Sequence, residues 1–242
     1  MTPPRTRWRR ARRVLLTASA PVAFVLFVLV WQPLFAYDAL ARVFPRFVWR
    51  VQTTAPLVAL TFDDGPAPDH TPQVLEILAR HGAQATFFLI GDRVERHPET
   101  VALIRAGGHE VGNHSYTLRS ALRQTDDAFA RDLKRTGDLL AFSGPFKPFR
   151  PPGGRIRGAQ LDGVLREGYT PVLGSAYPFD GAHPPAAYIR WLISKNLAPG
   201  TIVILHDGIA DPSRGIAALP GILEAGRRKG LRFVSVGTLL RS

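Results

Sequence analysis

Hydrophobic positions fall into two regimes along the chain. Residues 14–37 form one unbroken apolar run, rich in Val, Leu, Phe and Ala, with no charged side chain and with Gln32 as the only strongly polar one. From Leu57 onward the pattern changes to short apolar runs separated by stretches of helical period. The first regime predicts a membrane-spanning helix, because 24 residues are enough to cross a hydrocarbon layer roughly 30 Å thick. Pro21 and Pro33 would kink such a helix without forbidding it. The second regime predicts repeated βα units on a parallel sheet. Strands are expected near 57–60, 85–90, 109–112, 146–150, 170–173, 201–205 and 231–236, and helices over 71–81, 98–106, 126–140, 159–167, 188–196 and 216–229. Local signals agree: Pro72 and Pro98 suit the first position of a helix, and Gly82 and Gly107 suit a stop. Over 126–140 the helical period turns Phe129, Leu133 and Leu140 inward. About seven βα units approach a barrel.

Charge adds a topology to this picture. Arg5, Arg7, Arg9, Arg10, Arg12 and Arg13 crowd the first 13 residues, which hold no acid, and supply half of the formal net charge of +12. Placed just before an apolar span, they predict an N-terminus in the cytoplasm and everything after Tyr37 outside it. They are a topology signal before they are a nucleic-acid footprint, and no nucleic-acid partner is expected. The rival is a cleaved signal peptide, whose apolar region would be roughly 7–15 residues; here the run is longer, and the only small-x-small site, Ala39-Leu40-Ala41, lies beyond Asp38. The expected organisation is a basic tail over 1–13, an anchor over 14–37, a linker over 38–54 and an α/β domain over 55–242. The chain has no cysteine, which removes disulfides, thiolate metal sites and a Cys nucleophile, and leaves His and carboxylates as metal donors.

The candidate chemistry begins at Thr61-Phe62-Asp63-Asp64-Gly65-Pro66. Two adjacent acids at a strand end form either a solvated turn or a site in which something positive lets both stay ionised. Other polar groups also follow expected strands: His114, Arg150, Asp180 and His206. In a parallel barrel the C-terminal strand ends share one mouth, so these residues would meet. Asp64 and His114 would then offer a carboxylate and an imidazole to a Zn-like ion, with Asp63 free as a base.

Four motifs in register, TFDDGP, GHEVGNHSYT, FRPPGG and VILHD, resemble the polysaccharide deacetylases with a NodB homology domain, carbohydrate esterase family 4. The resemblance covers about residues 57–235 and implies a distorted (β/α)7 barrel, a divalent metal (Zn, with Co or Mn as alternatives), and removal of N-acetyl or O-acetyl groups from a carbohydrate. It implies Asp63 as catalytic base, Asp64 and His114 as metal ligands, Arg150 as the residue that orients the base, and His206 as general acid held by Asp180. The motifs also depart from the family. Leu118 stands where the family has a second metal histidine, and leucine binds no metal; His70, Asp69, Ser115 and Asp127 are the nearby groups that would have to replace it. Tyr177 stands where an acid is frequent, Gly181 where Trp is, and Gly153 where an aromatic is common. His81, His97, His109 and His183 are expected to be structural. The leading expectation is a membrane-anchored sugar N-deacetylase acting on peptidoglycan, a chitin-like oligomer or a lipid-linked amino sugar. The competing one is an attenuated or non-catalytic sugar-binding protein on the same barrel.

Overall fold

The computed structural model describes residues 27, 28 and 30–242. The basic tail and the first half of the expected anchor therefore lie outside the described residues. The chain is helical at residues 27, 28, 30 and 31, is interrupted at Gln32 and Pro33, and becomes helical again in α1, Leu34–Val43. No described helix is long and apolar enough to cross a membrane.

Seven parallel strands carry the domain: β1 (Leu57–Gly65), β2 (Thr86–Leu89), β3 (Glu110–Asn113), β4 (Pro148–Phe149), β5 (Thr170–Pro171), β6 (Ile202–His206) and β7 (Arg232–Val234). Their order in the sheet is β5-β4-β3-β2-β1-β6, with β7 paired to the start of β1. An isolated parallel bridge between Ala176 and Val203 joins the run after β5 to β6, and the whole fits a distorted (β/α) barrel. β1 is the hub. Val58, Ala59 and Leu60 are fully buried, because a strand with neighbours on both edges and helices outside reads as a continuous apolar run.

The helices are α2 (Thr71–Arg80), α3 (Gly91–Arg96), α4 (Pro98–Ala106), α5 (Asp126–Leu140), α6 (Gly158–Arg166), α7 (Ala186–Asn196), α8 (Ser213–Arg228) and α9 (Val236–Leu240). In α5 the inward side chains Phe129, Leu133 and Leu140 are buried as the period requires, and the Thr125 side chain accepts from the Ala128 N–H at the N-cap. Such a cap is worth about 1 kcal/mol. Two short helices break the expected pattern. Gly91-Asp92-Arg93 continues from β2 directly into α3, and the last expected strand ends at Val234, with Ser235 capping α9 by accepting from Thr238. Residues 44–56 lie along the barrel: Val48 bridges to Val172 beside β5, and Val51 donates to the Gly200 carbonyl at 2.9 Å.

Candidate active site

β1 ends with the two acids on different tracks. Asp63 keeps strand geometry, paired in register with His206 of β6, whereas Asp64 adopts φ 71° and the register with β2 slips between Asp63 and Gly65. A non-glycine residue in the left-handed region is costly unless its surroundings hold it there. Arg93 of α3 does so: its guanidinium donates to the Asp64 carbonyl at 2.7 Å and to the Gly208 carbonyl, tying the loop after β1 to the loop after β6. Arg93 escaped the sequence reading because α3 did. A strand passing without a loop into Gly-Asp-Arg was the signal available.

Around these acids stand the other expected residues. Arg150, which follows β4, is 2 % exposed and donates to Asp63 Oδ1 at 2.5 Å and to Thr61 Oγ1 at 2.8 Å from one nitrogen. Its remaining nitrogens donate to the Val172 and Leu173 carbonyls at 3.2 and 2.8 Å, and its plane lies 4.1 Å over the Phe88 ring. The guanidinium is thus surrounded by acceptors in a fixed orientation, the geometry to which arginine is suited and lysine is not. Burial lowers its pKa, and the Asp63 charge works against that fall.

His206 ends β6. Its ring Nδ1 lies 2.8 Å from Asp180 Oδ1 and its backbone N–H donates to Asp180 Oδ2 at 2.8 Å, so a single carboxylate fixes both the ring and the main chain. Asp180 is held in a short helical turn flanked by Phe179 and His183, both at positive φ. Burial lowers the pKa of His206, but its bond to Asp180 and the carboxylates of Asp180, Asp63 and Asp64 outweigh burial and push it up to about 9. The imidazolium form therefore persists through neutral pH.

His114 completes the group. Its Nδ1 is 2.7 Å from the Arg150 carbonyl oxygen. A carbonyl only accepts, so Nδ1 carries the hydrogen and a neutral ring turns its Nε2 lone pair toward Asp64. Nε2 and Asp64 Oδ1 are 3.3 Å apart, close to the spacing of two donors sharing a tetrahedral ion with arms of roughly 2.0–2.1 Å. Two acceptors facing each other at that separation need a proton or a cation between them. The pair therefore fits a divalent metal. Burial raises the Asp64 pKa, but the contact with His114 and the positive charges of His206 and Arg93 bring it below the usual value.

Among the described residues no third protein donor joins the pair: no group of three or more His, Cys, Asp or Glu side chains is placed to hold a metal ion. Leu118 lines the same cavity as the two acids and is 48 % exposed there, so position 118 does face the site. Asp69, His70, Ser115 and Asp127 do not line that cavity. Ser115, next to His114, holds φ 65° and has a buried hydroxyl without a hydrogen-bond partner.

The cavity measures about 350 Å³. Tyr177 forms part of its wall, 5.9 Å from the His206 ring, and burial together with the nearby carboxylates pushes its hydroxyl up to about 12. Gly153 sits at φ 66°, with no atom within 4 Å of the place a Cβ would take, so this side of the mouth is open. Behind β1 lies Asp207, which the sequence reading passed over. It is fully buried, its Oδ2 accepts from Thr71 Oγ1 at 2.5 Å, its Oδ1 has no partner, and burial pushes it up to about 7. The remaining histidines stand away from the cavity: His109 Nδ1 accepts from the Ala85 N–H at 3.2 Å, and His97 and His183 lie 3.6 and 3.8 Å from Glu99 and Asp211.

Residues 50–172 match the family model described as Polysaccharide deacetylase. A peptidoglycan-N-acetylglucosamine deacetylase of Bacillus cereus is 41% identical over 197 residues, which span 80% of this chain and 92% of that one. A chitooligosaccharide deacetylase of Rhizobium leguminosarum bv. trifolii is 34% identical over 167 residues, 68% of this chain and 78% of the relative. Among solved structures, a peptidoglycan N-acetylglucosamine deacetylase superposes with a TM-score of 0.78 at 28% identity, covering 84% of this chain and 96% of that one. A mutant of a family 4 carbohydrate esterase pseudoenzyme, described as having restored enzymatic activity, superposes with a TM-score of 0.73 at 26% identity, covering 80% and 71%. The chain belongs to the polysaccharide deacetylase family of hydrolases.

Proposed function

We propose that this protein removes N-acetyl groups from an amino-sugar polymer or a lipid-linked amino sugar, with a divalent metal held by Asp64 and His114. The observation that carries the reading is the convergence of a paired base, Asp63–Arg150, and a paired acid, His206–Asp180, on the cavity that Asp64 and His114 also line. The relatives named as peptidoglycan and chitooligosaccharide deacetylases support the substrate class.

Each side chain has a separate task. Asp63 takes the proton of the water that attacks the acetyl carbonyl, and Arg150 fixes the carboxylate so that one oxygen stays aimed at the cavity. His206, protonated through Nε2 while Asp180 holds Nδ1, gives that proton to the sugar nitrogen as the C–N bond breaks; an amide anion is otherwise a very poor leaving group. When bound, the metal supplies Lewis acidity, lowering the pKa of water and polarising the carbonyl. Asp64 and His114 hold it, with Arg93 keeping the Asp64 backbone in place. The uncharged run that begins at Val14, preceded by six arginines, supports a single-pass anchor ahead of Gln32, with this domain outside the cytoplasmic membrane.

The test is acetate release by the full chain in detergent, supplied with Zn, Co or Mn, from N-acetylglucosamine oligomers and from peptidoglycan. Release with at least one metal, reduced about 10²–10⁴-fold in Asp63→Asn, is expected. No release with any metal, or equal release by the variant, would sink the reading. A second reading, an attenuated sugar-binding protein, draws on one observation: Leu118 occupies the cavity wall where a third donor would stand. It predicts well under one tightly held metal per chain after dialysis.

A further inference from the structure

The C-terminal end of the apolar run is joined to the wall of the catalytic cavity. Gln32 is 2 % exposed and its side-chain amide bonds in both directions with the main chain of Tyr177: the Tyr177 N–H donates to Gln32 Oε1 at 2.8 Å, and Gln32 Nε2 donates to the Tyr177 carbonyl. Tyr177 is the cavity residue whose ring faces His206. One residue earlier, Trp31 meets Trp191 of α7 edge-on at 6.0 Å, Phe27 stacks on Trp31 at 6.1 Å, and Lys195 Nζ lies 4.0 Å over the Trp31 ring while donating to the Trp31 carbonyl.

This cluster fixes the chain to the domain and still leaves much of its own apolar surface uncovered. Phe27 and Trp31 are each 45% exposed and Trp191 44%. Single exposed hydrophobic residues need no explanation, but a contiguous aromatic group with a cationic rim marks a contact surface. Its chemistry is that of a membrane interface, where Trp rings sit at headgroup level and lysines extend their charge outward. Two features select a bilayer as the occupant. The group lies at the C-terminal end of the long uncharged run that begins at Val14, and Trp191 and Lys195 stand one turn apart on α7, so that ring and cation share one face.

We propose that Trp31, Trp191 and Lys195 seat the domain in the headgroup zone of an anionic bilayer, with the Gln32–Tyr177 contact holding the catalytic mouth at that surface. The inference rests on the anchored reading above and adds an orientation to it. An N-acetylated sugar displayed at the membrane surface would then reach Asp63 and His206 without the domain moving along a flexible tether.

Because the chain has no cysteine, one introduced thiol reports one position. The full chain carrying Ala187→Cys, an exposed site one turn before Trp191 on α7, is labelled with bimane and reconstituted into phosphatidylglycerol–phosphatidylethanolamine vesicles. Lys134→Cys on α5 serves as the comparison. The label at 187 should be blue-shifted and quenched by lipids brominated near the headgroup, and the label at 134 should stay water-like. Adding Trp31→Ser and Trp191→Ser should return the 187 label to water while the chain still sediments with vesicles. An unquenched 187 label on sedimenting protein overturns the seating and leaves the anchor standing. Failure to sediment overturns both. A 187 label that becomes shielded with rising protein concentration in the absence of lipid assigns the face to a second copy, and also overturns it. Acetate release from soluble oligomers reads the deacetylase assignment independently of all three.

Discussion

The two halves of the catalytic cavity are built to different standards. On the acid–base side each group is held by a fixed partner: Arg150 bonds to Asp63, Thr61 and two carbonyls, and Asp180 holds His206 by ring and backbone. On the metal side Asp64 and His114 face each other at 3.3 Å while Leu118 fills the place of a third donor and the neighbouring Ser115 hydroxyl is buried without a partner. On the proposed assignment the difference teaches that absence of a third ligand need not spread. The proposed base and acid are held at strand ends inside the barrel, whereas residue 118 sits on an exposed loop outside the core.

The comparison breaks most directly at Arg150→Met. Removing one partner of a buried ion pair leaves Asp63 charged and alone, at a cost of about 3–5 kcal/mol in stability. Activity should fall by at least the roughly 10²-fold that a positioned base contributes, whatever metal is supplied. Thermal unfolding and acetate release together check it; a variant that keeps both would mean the acid–base half does not depend on this pair. Restoring the other half should have the next largest effect. In Leu118→His a third nitrogen donor faces the cavity, and metal affinity should rise by more than the about 10–100-fold that a mere supporting partner of a ligand is worth. Metal titration measures this directly, and unchanged affinity would show that position 118 cannot reach the ion.

A pH profile separates the halves again. His206 is raised to about 9 chiefly by Asp180 acting against burial, so the protonated acid survives until pH passes that value and the rate should fall above it. The same shift stabilises the fold below the unfolded histidine pKa of about 6.5, and that stabilisation is lost as pH rises through about 9. Asp180→Asn should move the alkaline fall in rate toward about 6.5 and leave metal affinity unchanged. A profile that does not move would assign the proton donation to another group.

The acid–base half was also the more legible in the sequence. Asp63 and His206 each follow an apolar run of strand length and Arg150 follows the short β4, and parallel strands bring their C-terminal ends together, so their meeting follows from topology. Helix α5 was legible to the residue because period and cap agree. The residues that escaped lie where local pattern is silent. Arg93 sits on a helix of six residues, too short to show a period. Asp207 looks like a solvated strand-end acid until the packing of Thr71 and Gly65 against it is seen. Gln32 falls in an apolar run that reads as membrane, and its bonds to Tyr177 span 145 positions of sequence. Contacts of that range leave no local trace.

Asp207 provides the smallest test and the most discriminating one for the scaffold beneath both halves. Its carboxyl is raised to about 7 because burial disfavours the charge, while in the unfolded chain it ionises near 3.9. Between those values the folded state holds a proton that the unfolded state has released, so stability should fall as pH rises across that window and level off above about 7. In Asp207→Asn the Thr71 hydroxyl keeps an acceptor and the ionisation is gone. The slope contributed by this site, at most about 1.4 kcal/mol per pH unit, should vanish from a urea-unfolding series run from pH 4 to 8, with rate and metal affinity nearly unchanged. If the variant instead lost activity while its unfolding curves stayed as steep with pH, the negative form of Asp207 would be what keeps Gly65 and the two catalytic acids in place, and the division between the halves would begin behind β1 instead of at Leu118.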